Sequence, residues 1–413
     1  MDNKLAEKLY FSKEAAEYLN ITTQRLNTLV KEGKINPLKK NPSGTIFHIE
    51  ELERRKEEQN IFEGISQKGG KGMFQFNTNE KREALNFTTL VNSLDITEQR
   101  LDPKFSDFSR NVDVSISMID SKELLDEYSR FFNVGIDRLK KEFNFAYKAF
   151  SNLRQTDEII KRGSSDYAPL LLKIQQAPRF LYLRGKKSLL FEERTVALVG
   201  SRQASEKSKE NTRRLAATLG NNGITIVSGL AKGIDVTAHI TALEYGFNTI
   251  AVIGTNLNQY YPIENKNVQL EIEKKGLIVS QFSPATKTKN WFFPLRNGIM
   301  SGLSLATVIM EAGETSGALK QADFALKQHR EVLIPKSAFD IKTITWPTKY
   351  VTRGAKVVES PKEVLEILAR SNIFKIENQG DYRQQSFEDL FSEGTINYKH
   401  TKIKKSTQIV DMV

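Results

Sequence analysis

Three short runs rich in valine and isoleucine constrain the fold most strongly: VALV, ITIV and TIAVI, all within residues 194–254. Each run has the length of a strand that is buried on both faces, and a polar segment with helical spacing separates each run from the next. This alternation predicts a doubly wound α/β core with a parallel sheet. The later runs LIVS, LATVIM and EVLIP extend the pattern, so we assign the α/β domain to residues 165–370.

Four loops that follow these predicted strands are rich in glycine, and three of them carry cations. They are GSRQASEKSK, SGLAKGID, FSPATKTKNWFFPLRNGIMSG and EAGETSGAL. Parallel strands bring such loops to one edge of the sheet, where glycines and helix N-termini let backbone N–H groups approach a phosphate. We therefore expect a phosphate-bearing ligand at this edge. The candidate contact residues are Gly200, Arg202, Gly229, Lys232, Gly233, Lys287, Lys289, Arg296, Thr315, Ser316 and Gly317.

The third loop also carries three adjacent aromatics, Trp291, Phe292 and Phe293. Aromatics beside cations favour single-stranded nucleic acid, because base stacking and backbone charge then act together. An apolar anchor for the loop is an equally good interpretation. The dinucleotide and P-loop signatures are missing, since GSRQAS follows the first strand in place of GxGxxG, and we predict no cofactor.

The composition narrows the function classes further. The formal net charge is +11, which favours a polyanionic partner, although a lysine-rich solvated surface gives the same count. The chain has no cysteine, which excludes disulfides and thiol catalysis, and its four histidines are scattered, so we predict no metal site. Asp235 and His239 lie four residues apart and are interpreted as a local pair on one helical face. No signal-like or membrane-spanning segment is evident, so we expect a cytoplasmic protein without a membrane partner.

Residues 1–58 have the pattern of a small DNA-binding module. FSKEAAEYLNI and TTQRLNTLVKEGKI predict two helices with Ala15, Ala16, Leu19, Leu26, Leu29 and Val30 inward, and NPLKKNPSGTIFHI predicts a hairpin with its tip at Pro42, Ser43 and Gly44. This order resembles the winged helix-turn-helix of excisionase and MerR-like proteins, in which the second helix enters the major groove. A module for protein contact alone is the alternative. The candidate duplex-DNA contacts are Gln24, Arg25, Thr28, Lys31, Lys39 and Lys40.

The remaining segments carry less functional information. Residues 59–80 contain QKGGKGMFQFNTNEK and are interpreted as a linker. Residues 81–164 form a predominantly helical segment. Its aromatic and leucine stripe, which we assign to a core more readily than to base stacking, consists of Leu125, Tyr128, Phe132, Leu139 and Phe143. Residues 371–413 are a polar, basic tail that we expect to be flexible.

The motifs VALVGSR, IVSGLAKGIDVTAH, IAVIGTNLNQYYPIENKN, FPLRN and ATVIMEAGETSGAL occur in one order across residues 165–370. They closely resemble the DNA-processing protein A family (DprA, also called Smf), whose core is an extended Rossmann-like fold. The resemblance implies a non-enzymatic, homodimeric protein that binds and protects single-stranded DNA and helps to load a RecA-type recombinase during transformation. It also implies DNA contacts by the GSR turn, by the SGLAKG loop and by the RN of FPLRN, which adds Ser201, Ser228 and Asn297 to the candidates.

The chain departs from the family pattern in ways that leave its biological setting open. Gly298 follows RN where many members have a basic residue, and the excisionase-like N-terminus differs from the usual helical domain. The role could therefore be competence, a mobile element or a defence system. Two other functions stay open. One is a transcriptional regulator whose core senses a nucleotide; the other is a nucleotide N-glycosidase in which Glu311 acts as the acid.

Overall fold

The structure is a computed structural model that describes residues 9–19, 22–31, 35–41, 44–53, 75–175 and 177–370. It divides into two compact units, Met1–Gln75 and Phe76–Val413. The predicted hairpin tip at Pro42 and Ser43, most of the predicted linker and the whole predicted tail lie outside the described residues. Every helix in the described ranges is too short or too polar to traverse a lipid bilayer.

The first unit contains the two helices and the hairpin that the sequence predicts. Its elements are β1 (Leu9–Phe11), α1 (Ser12–Tyr18), α2 (Thr23–Lys31), β2 (Lys39–Asn41) and β3 (Gly44–His48), followed by helical residues 49–53. The strands pair in the order β1-β3-β2, and both pairings are antiparallel. Strand β1 was not predicted, because three residues are too few to show alternation.

A small apolar core holds the first unit together. It contains five of the six residues predicted to face inward, joined by residues from the hairpin region and the last helical turn: Ala15, Ala16, Leu19, Leu26, Leu29, Ile35, Phe47 and Leu52. The sixth, Val30, packs partly buried against it. The two alanines let α1 pack closely on its neighbours. Gln24, Lys31, Lys39 and Lys40 are exposed, and the Thr28 hydroxyl donates to the Gln24 carbonyl at 3.0 Å. The side chain of Arg25 lies outside the described residues.

The second unit begins with four helices, α3 (Asn79–Leu94), α4 (Glu98–Phe108), α5 (Lys122–Phe132) and α6 (Ile136–Phe150). Thr78, Thr97 and Ser121 cap the first three, each accepting a hydrogen bond from a backbone N–H in the first turn. The predicted stripe on α5 and α6 is buried, as the core interpretation requires. Phe108 lies within 4.7–5.0 Å, between ring centroids, of three aromatic rings on α5.

A nine-stranded sheet forms the centre of the second unit, in the order β12-β11-β10-β6-β7-β8-β9-β5-β4. The strands are β4 (Glu158–Lys161), β5 (Phe180–Gly185), β6 (Thr195–Gly200), β7 (Thr225–Ser228), β8 (Thr249–Val252), β9 (Leu277–Ser280), β10 (Ala306–Glu311), β11 (Glu331–Pro335) and β12 (Lys356–Val358). Strands β6 to β12 are parallel, which confirms the predicted α/β core. Strands β4 and β5 add an antiparallel edge, and β4 lies within the segment for which the sequence predicts mainly helix.

Helices cover both faces of this sheet. They are α7 (Pro169–Leu172), α8 (Glu206–Asn221), α9 (Ile234–Glu244), α10 (Lys266–Lys275), α11 (Phe292–Gly302), α12 (Gly317–Lys327), α13 (Trp346–Val351) and α14 (Pro361–Arg370). Alternate residues of β6 enter two different cores: Val196 and Leu198 pack with α8, α9 and α14, whereas Ala197 and Val199 pack with α11, α12 and α13. Burial on both faces explains why β6 is a continuous apolar run in the sequence.

The chain reverses its direction of travel across the sheet between β6 and β10. Successive strands from β6 add on one side as far as β9, and β10, β11 and β12 then add on the other side. Such a reversal leaves a crevice outside the carboxyl ends of the two central strands, since the loops that follow them diverge. The fold therefore provides a binding position at the ends of β6 and β10.

Candidate nucleic-acid interface

A cleft of about 700 Å³ occupies this position, and we call it the loop cleft. Its walls include residues from all four predicted loops: the turn after β6, the SGLAKGID loop through Ala231 and Asp235, the segment that enters α11 and the loop between β10 and α12. The lining residues used below are Arg202, Asp235, Tyr261, Phe293, Arg296, Asn297, Thr315, Ser316 and Gly317. The fold thus brings together residues separated by more than one hundred positions in the chain.

The turn after β6 places Arg202 at the cleft with its side chain exposed. A Cβ atom on Gly200 would lie 2.5 Å from a side-chain carbon of Ile234 and 2.9 Å from the Glu311 carbonyl oxygen. Glycine is therefore required for the close approach of β6, α9 and β10. The Ser201 N–H donates to that same carbonyl at 2.7 Å, which fixes the start of the turn and so the base from which Arg202 extends.

The SGLAKG loop packs behind this turn. Gly233 has φ +75°, and a Cβ there would lie 2.2 Å from the Ser201 carbonyl oxygen, so the two glycine loops are in direct contact. Lys232, by contrast, does not line the loop cleft. Its ammonium forms an ion pair with Glu264 at 2.6 Å, and both side chains are more than half exposed. Ser228 is buried and its hydroxyl donates to the Leu198 carbonyl at 2.7 Å.

Arg296 forms part of the cleft wall with 6% of its surface exposed. Its guanidinium donates to the carbonyls of Gly229, at 2.5 Å, and Val252, and to the Asn297 side-chain oxygen at 3.1 Å. Burial lowers the pKa of Arg296 to about 10; the charge of Asp235 opposes this shift, and the smaller effect of nearby Arg202 adds to it. Because its donors are engaged by the protein, Arg296 joins the SGLAKG loop to β8. Its buried positive charge contributes to the electrostatic potential of the cleft.

Asp235 and His239 are both buried on α9, but their hydrogen bonds go to different partners. Asp235 accepts from the Ala231 N–H at 3.4 Å, and the His239 ring nitrogen Nδ1 lies 2.8 Å from the Thr249 hydroxyl. The hydrogen bonds described for this part of the chain include none between the two, so the predicted pair is not formed. Burial raises the pKa of Asp235 and lowers that of His239 to about 3. His239 is therefore neutral across the physiological pH range.

The loop between β10 and α12 supplies a helix start. The Ser316 hydroxyl caps α12 by accepting from the Ala318 N–H at 3.2 Å, and Thr315 and Gly317 are exposed beside it. The two acids of this loop have structural partners. Glu311 accepts from the Ser205 hydroxyl at 2.6 Å and from the Ser205 N–H, at the start of α8, and Glu314 accepts from the Trp346 N–H at 3.0 Å.

The third loop forms a partition with different residues on its two sides. Asn290, Phe293 and Arg296 face the loop cleft, whereas the other side presents Lys287, Lys289, Trp291, Phe292 and Leu295. Phe292 is buried and stacks on Phe282, with ring centroids 4.0 Å apart. Phe292 therefore anchors the loop, as one of the two sequence interpretations requires, whereas Trp291 and Phe293 line clefts on opposite sides of the loop and base stacking by them stays a prediction.

The cleft on the far side of this partition, which we call the helix cleft, was not predicted. Its volume is about 880 Å³, and helices α3, α4 and α6 form its other wall. Glu98, at the start of α4, lines it half-buried, and burial, with a smaller effect of the Asp102 charge, raises the pKa of Glu98 to about 8. At least four separate segments of the chain line this cleft, so no single motif marks it in the sequence.

Comparison with known proteins identifies relatives of the second unit. The family model for DNA recombination-mediator protein A matches residues 158–369. The DNA processing protein DprA of Bacillus subtilis is 35% identical over 212 residues, which cover 51% of this chain and 71% of that protein. DprA of Streptococcus pneumoniae is 36% identical over 237 residues, covering 57% and 79%. The X-ray structure of DprA from S. pneumoniae aligns with a TM-score of 0.55 and 29% identity, over 73% of this chain and 99% of that one.

Proposed function

The chain belongs to the DNA recombination-mediator protein A family, and from this premise we propose that its loop cleft binds the backbone of single-stranded DNA. One observation carries the proposal. An exposed arginine, the starts of α9 and α12 and an aromatic ring meet in a single cleft at the switch point of the sheet. Each feature alone is common in α/β proteins, but together they suit a ligand that has both phosphates and bases.

Arg202 is the residue that we expect to contact a phosphate directly. Its guanidinium is exposed at the cleft, and a planar guanidinium can donate two parallel hydrogen bonds to phosphate oxygens. The start of α12 lines the same cleft, where the Gly317 N–H has no acceptor within the helix and is a backbone donor at the positive end of the helix dipole, with Thr315 just before the cap. A phosphate between these groups is bound from two sides.

Phe293 is the residue that we expect to contact a base. Its ring is half-buried in the cleft wall and packs against Tyr261, with centroids 5.0 Å apart. Tyr261 is half exposed, so the pair offers an aromatic surface next to the phosphate position. Stacking does not depend on base identity, because every base has a π face. We therefore expect the loop cleft to bind single strands of many different sequences.

The first unit adds a second proposed contact, with duplex DNA. Gln24 and Lys31 lie exposed on α2, and Lys39 and Lys40 lie exposed on the hairpin strand β2. In a winged helix-turn-helix the second helix enters the major groove and the basic wing contacts the DNA backbone, so these positions would face DNA. Arg25 and Thr28 are the remaining candidates on that helix. The order of elements in this unit supports the proposal.

We further propose that the protein acts without catalysis, as a cytoplasmic homodimer that delivers its strand to a RecA-type recombinase. Family membership supports this role. The acid that an N-glycosidase would need in the fourth loop, Glu311, is engaged with Ser205 at the start of α8. That engagement favours a structural role for Glu311 over an acid catalyst.

Fluorescence anisotropy with labelled oligo-dT tests the strand-binding proposal. Replacing Arg202 with alanine removes charge-assisted hydrogen bonds worth about 1.5–3 kcal/mol, so Kd should rise roughly 10- to 150-fold. The log–log salt slope should become shallower by about 0.7 for each phosphate that the variant no longer binds. Arg110→Ala is the matched control, because Arg110 is an exposed arginine that lines neither cleft. Equal affinities of the wild type and Arg202→Ala would refute the assignment.

A further inference from the structure

We propose that the helix cleft is a nucleobase-binding site, in which one base lies against aromatic side chains and pairs with Glu98 while its phosphate contacts Lys287 or Lys289. All three residues line this cleft. The base comes either from a strand held in the loop cleft or from a free nucleotide. The site rests on the proposed function only in the first case.

The dimensions and walls of the cleft suit a base. Its volume of about 880 Å³ falls in the range of small-molecule sites, about 300–1,000 Å³, and such sites combine apolar walls with a few polar groups. Phe145 and Trp291 line it with 53% and 42% of their surfaces exposed, which is unusual for side chains of this size. The Lys289 ammonium lies 5.8 Å from the centroid of the Trp291 ring, so a stacking surface and a cation are adjacent.

Glu98 differs from Asp102, a carboxylate of the same cleft that lies about one turn further along α4. Asp102 forms ion pairs with Arg162 and Arg179, each at 2.6 Å. Glu98 has neither a hydrogen-bond nor an ion-pair partner for its side chain among the residues that the structure describes. A half-buried carboxyl without a protein partner, in a cleft with aromatic walls, is available to a ligand.

The hydrogen-bonding capacity of Glu98 fits bases in general. With its pKa raised to about 8 by burial, the carboxyl is mainly neutral at physiological pH and presents one donor and one acceptor. Each of the four DNA bases offers an adjacent acceptor and donor on its Watson–Crick edge, so a neutral carboxyl can pair with any of them. An ionised carboxylate has acceptors alone and suits only the two adjacent N–H donors of guanine.

The partition loop links this cleft to the phosphate track. Lys287, Lys289 and Trp291 face the helix cleft, and Phe293, two residues further along, faces the loop cleft. A strand whose backbone lies along the loop cleft can therefore reach the helix cleft by passing over a few residues of one loop. Lys287 and Lys289 are cations at that crossing.

Other charged groups around the cleft also bear on the behaviour of Glu98 with pH. On its own side of the cleft are Asp95, Arg100 and Asp102, and α6 contributes Glu142. The sheet edge contributes Arg162 and Arg179. On β5, the pKa of Tyr182 is raised mainly by burial and, to a smaller extent, by the charge of Glu98. A test must therefore isolate Glu98 from these groups. Glu98→Gln does so, because the amide keeps a donor and an acceptor and does not titrate.

The first arm of the test uses free nucleotides. We expect dCMP and dAMP, titrated into the full chain in a calorimeter, to bind more weakly at about pH 9 than at about pH 7, because Glu98 ionises in between. Glu98→Ala should weaken binding by about five- to a hundredfold, the range for one well-paired base edge. Glu98→Gln should bind as the wild type does near neutral pH and should lose the pH dependence. Arg110→Ala should leave this binding unchanged, because Arg110 is exposed and lines neither cleft.

The second arm uses a strand that contains the fluorescent base 2-aminopurine. We expect binding of the strand to quench 2-aminopurine fluorescence, with the quenching lost in Glu98→Ala and kept in Glu98→Gln. If this result is obtained while free nucleotides do not bind, the base in the helix cleft belongs to a bound strand. If neither nucleotides nor the labelled strand respond to Glu98→Ala, the site is refuted. Failure of the proposed function gives a different result: Arg202→Ala then leaves the affinity for oligo-dT unchanged, whether or not Glu98→Ala weakens the binding of nucleotides.

Discussion

Replacing Arg179 with methionine should destabilise the second unit strongly, because Arg179 is the centre of a buried ionic cluster. Only 9% of its surface is exposed. Its guanidinium donates to Glu83 at 3.0 Å, to Asp102 at 2.6 Å and to the Ser106 hydroxyl. These contacts join the residue that precedes β5 to helices α3 and α4. The cluster therefore ties the helical segment to the edge of the sheet.

The size of the stability loss depends on the ion pairs that Glu83 and Asp102 keep after Arg179 is replaced. Removing one partner of a buried ion pair typically costs about 3–5 kcal/mol, because a charge stays buried without compensation. Here Glu83 still contacts Lys161 at 2.5 Å, and Asp102 still contacts Arg162 at 2.6 Å. Both cations are about one-third exposed, so they compensate in part. We expect a loss near the lower end of that range, about 3 kcal/mol.

Urea denaturation monitored by tryptophan fluorescence measures this loss in the second unit, since both tryptophans, Trp291 and Trp346, lie there. Arg110→Met is the matched control. Arg110 forms an exposed ion pair with Asp107, and such pairs contribute about 0–1 kcal/mol. A loss below about 1 kcal/mol for Arg179→Met would show that the cluster is no stronger than a surface pair and would refute the reasoning.

Three further outcomes follow from the two clefts. Glu98→Gln should melt at a higher temperature than the wild type near pH 8 and at the same temperature near pH 4.5. Folding raises the pKa of Glu98 to about 8, so the carboxyl contributes its full stability below its pKa in the unfolded chain and loses that contribution as the pH rises towards 8. A constant difference in melting temperature across this pH range would contradict the linkage. Gly229→Ala should lower stability by about 1–3 kcal/mol in urea denaturation, since the added Cβ would lie 2.5 Å from the Arg296 guanidinium, and an unchanged transition would show that Arg296 moves freely. Lys232→Ala should change oligo-dT affinity less than about threefold in anisotropy, because an exposed lysine paired with Glu264 contributes little; a tenfold loss would place the strand outside the loop cleft.

The parallel core was predictable from local sequence. Continuous apolar runs such as VALV and ITIV have few alternatives to buried strands, and they became β6 and β7. Because parallel strands align their carboxyl ends, the convergence of Arg202 and Ser316 at one edge also followed from the sequence. The order of the strands, which creates the crevice between β6 and β10, is a property of the whole chain and was implied only through the family resemblance.

What the sequence did not reveal depends on contacts between distant segments. Arg296 follows an aromatic loop and suggests a solvent-facing cation, yet its guanidinium is held by the Gly229 carbonyl, 67 residues earlier. Lys287 and Lys289 lie in the same loop as Phe293 but on the opposite side of the partition. The helix cleft requires α4 to pack near that loop. Periodicity identifies the face that a helix buries, but not the element that it meets.

Photo-crosslinking tests the central claim most directly. A single strand that carries iododeoxyuridine, irradiated in complex with the full chain and analysed by mass spectrometry, should become attached to Phe293 or Tyr261, the aromatic pair of the loop cleft. Arg202→Ala should reduce the yield of that adduct. Crosslinks confined to residues 1–75, with none in the loop cleft, would contradict the account, because the strand would then be bound by the first unit instead of the α/β core.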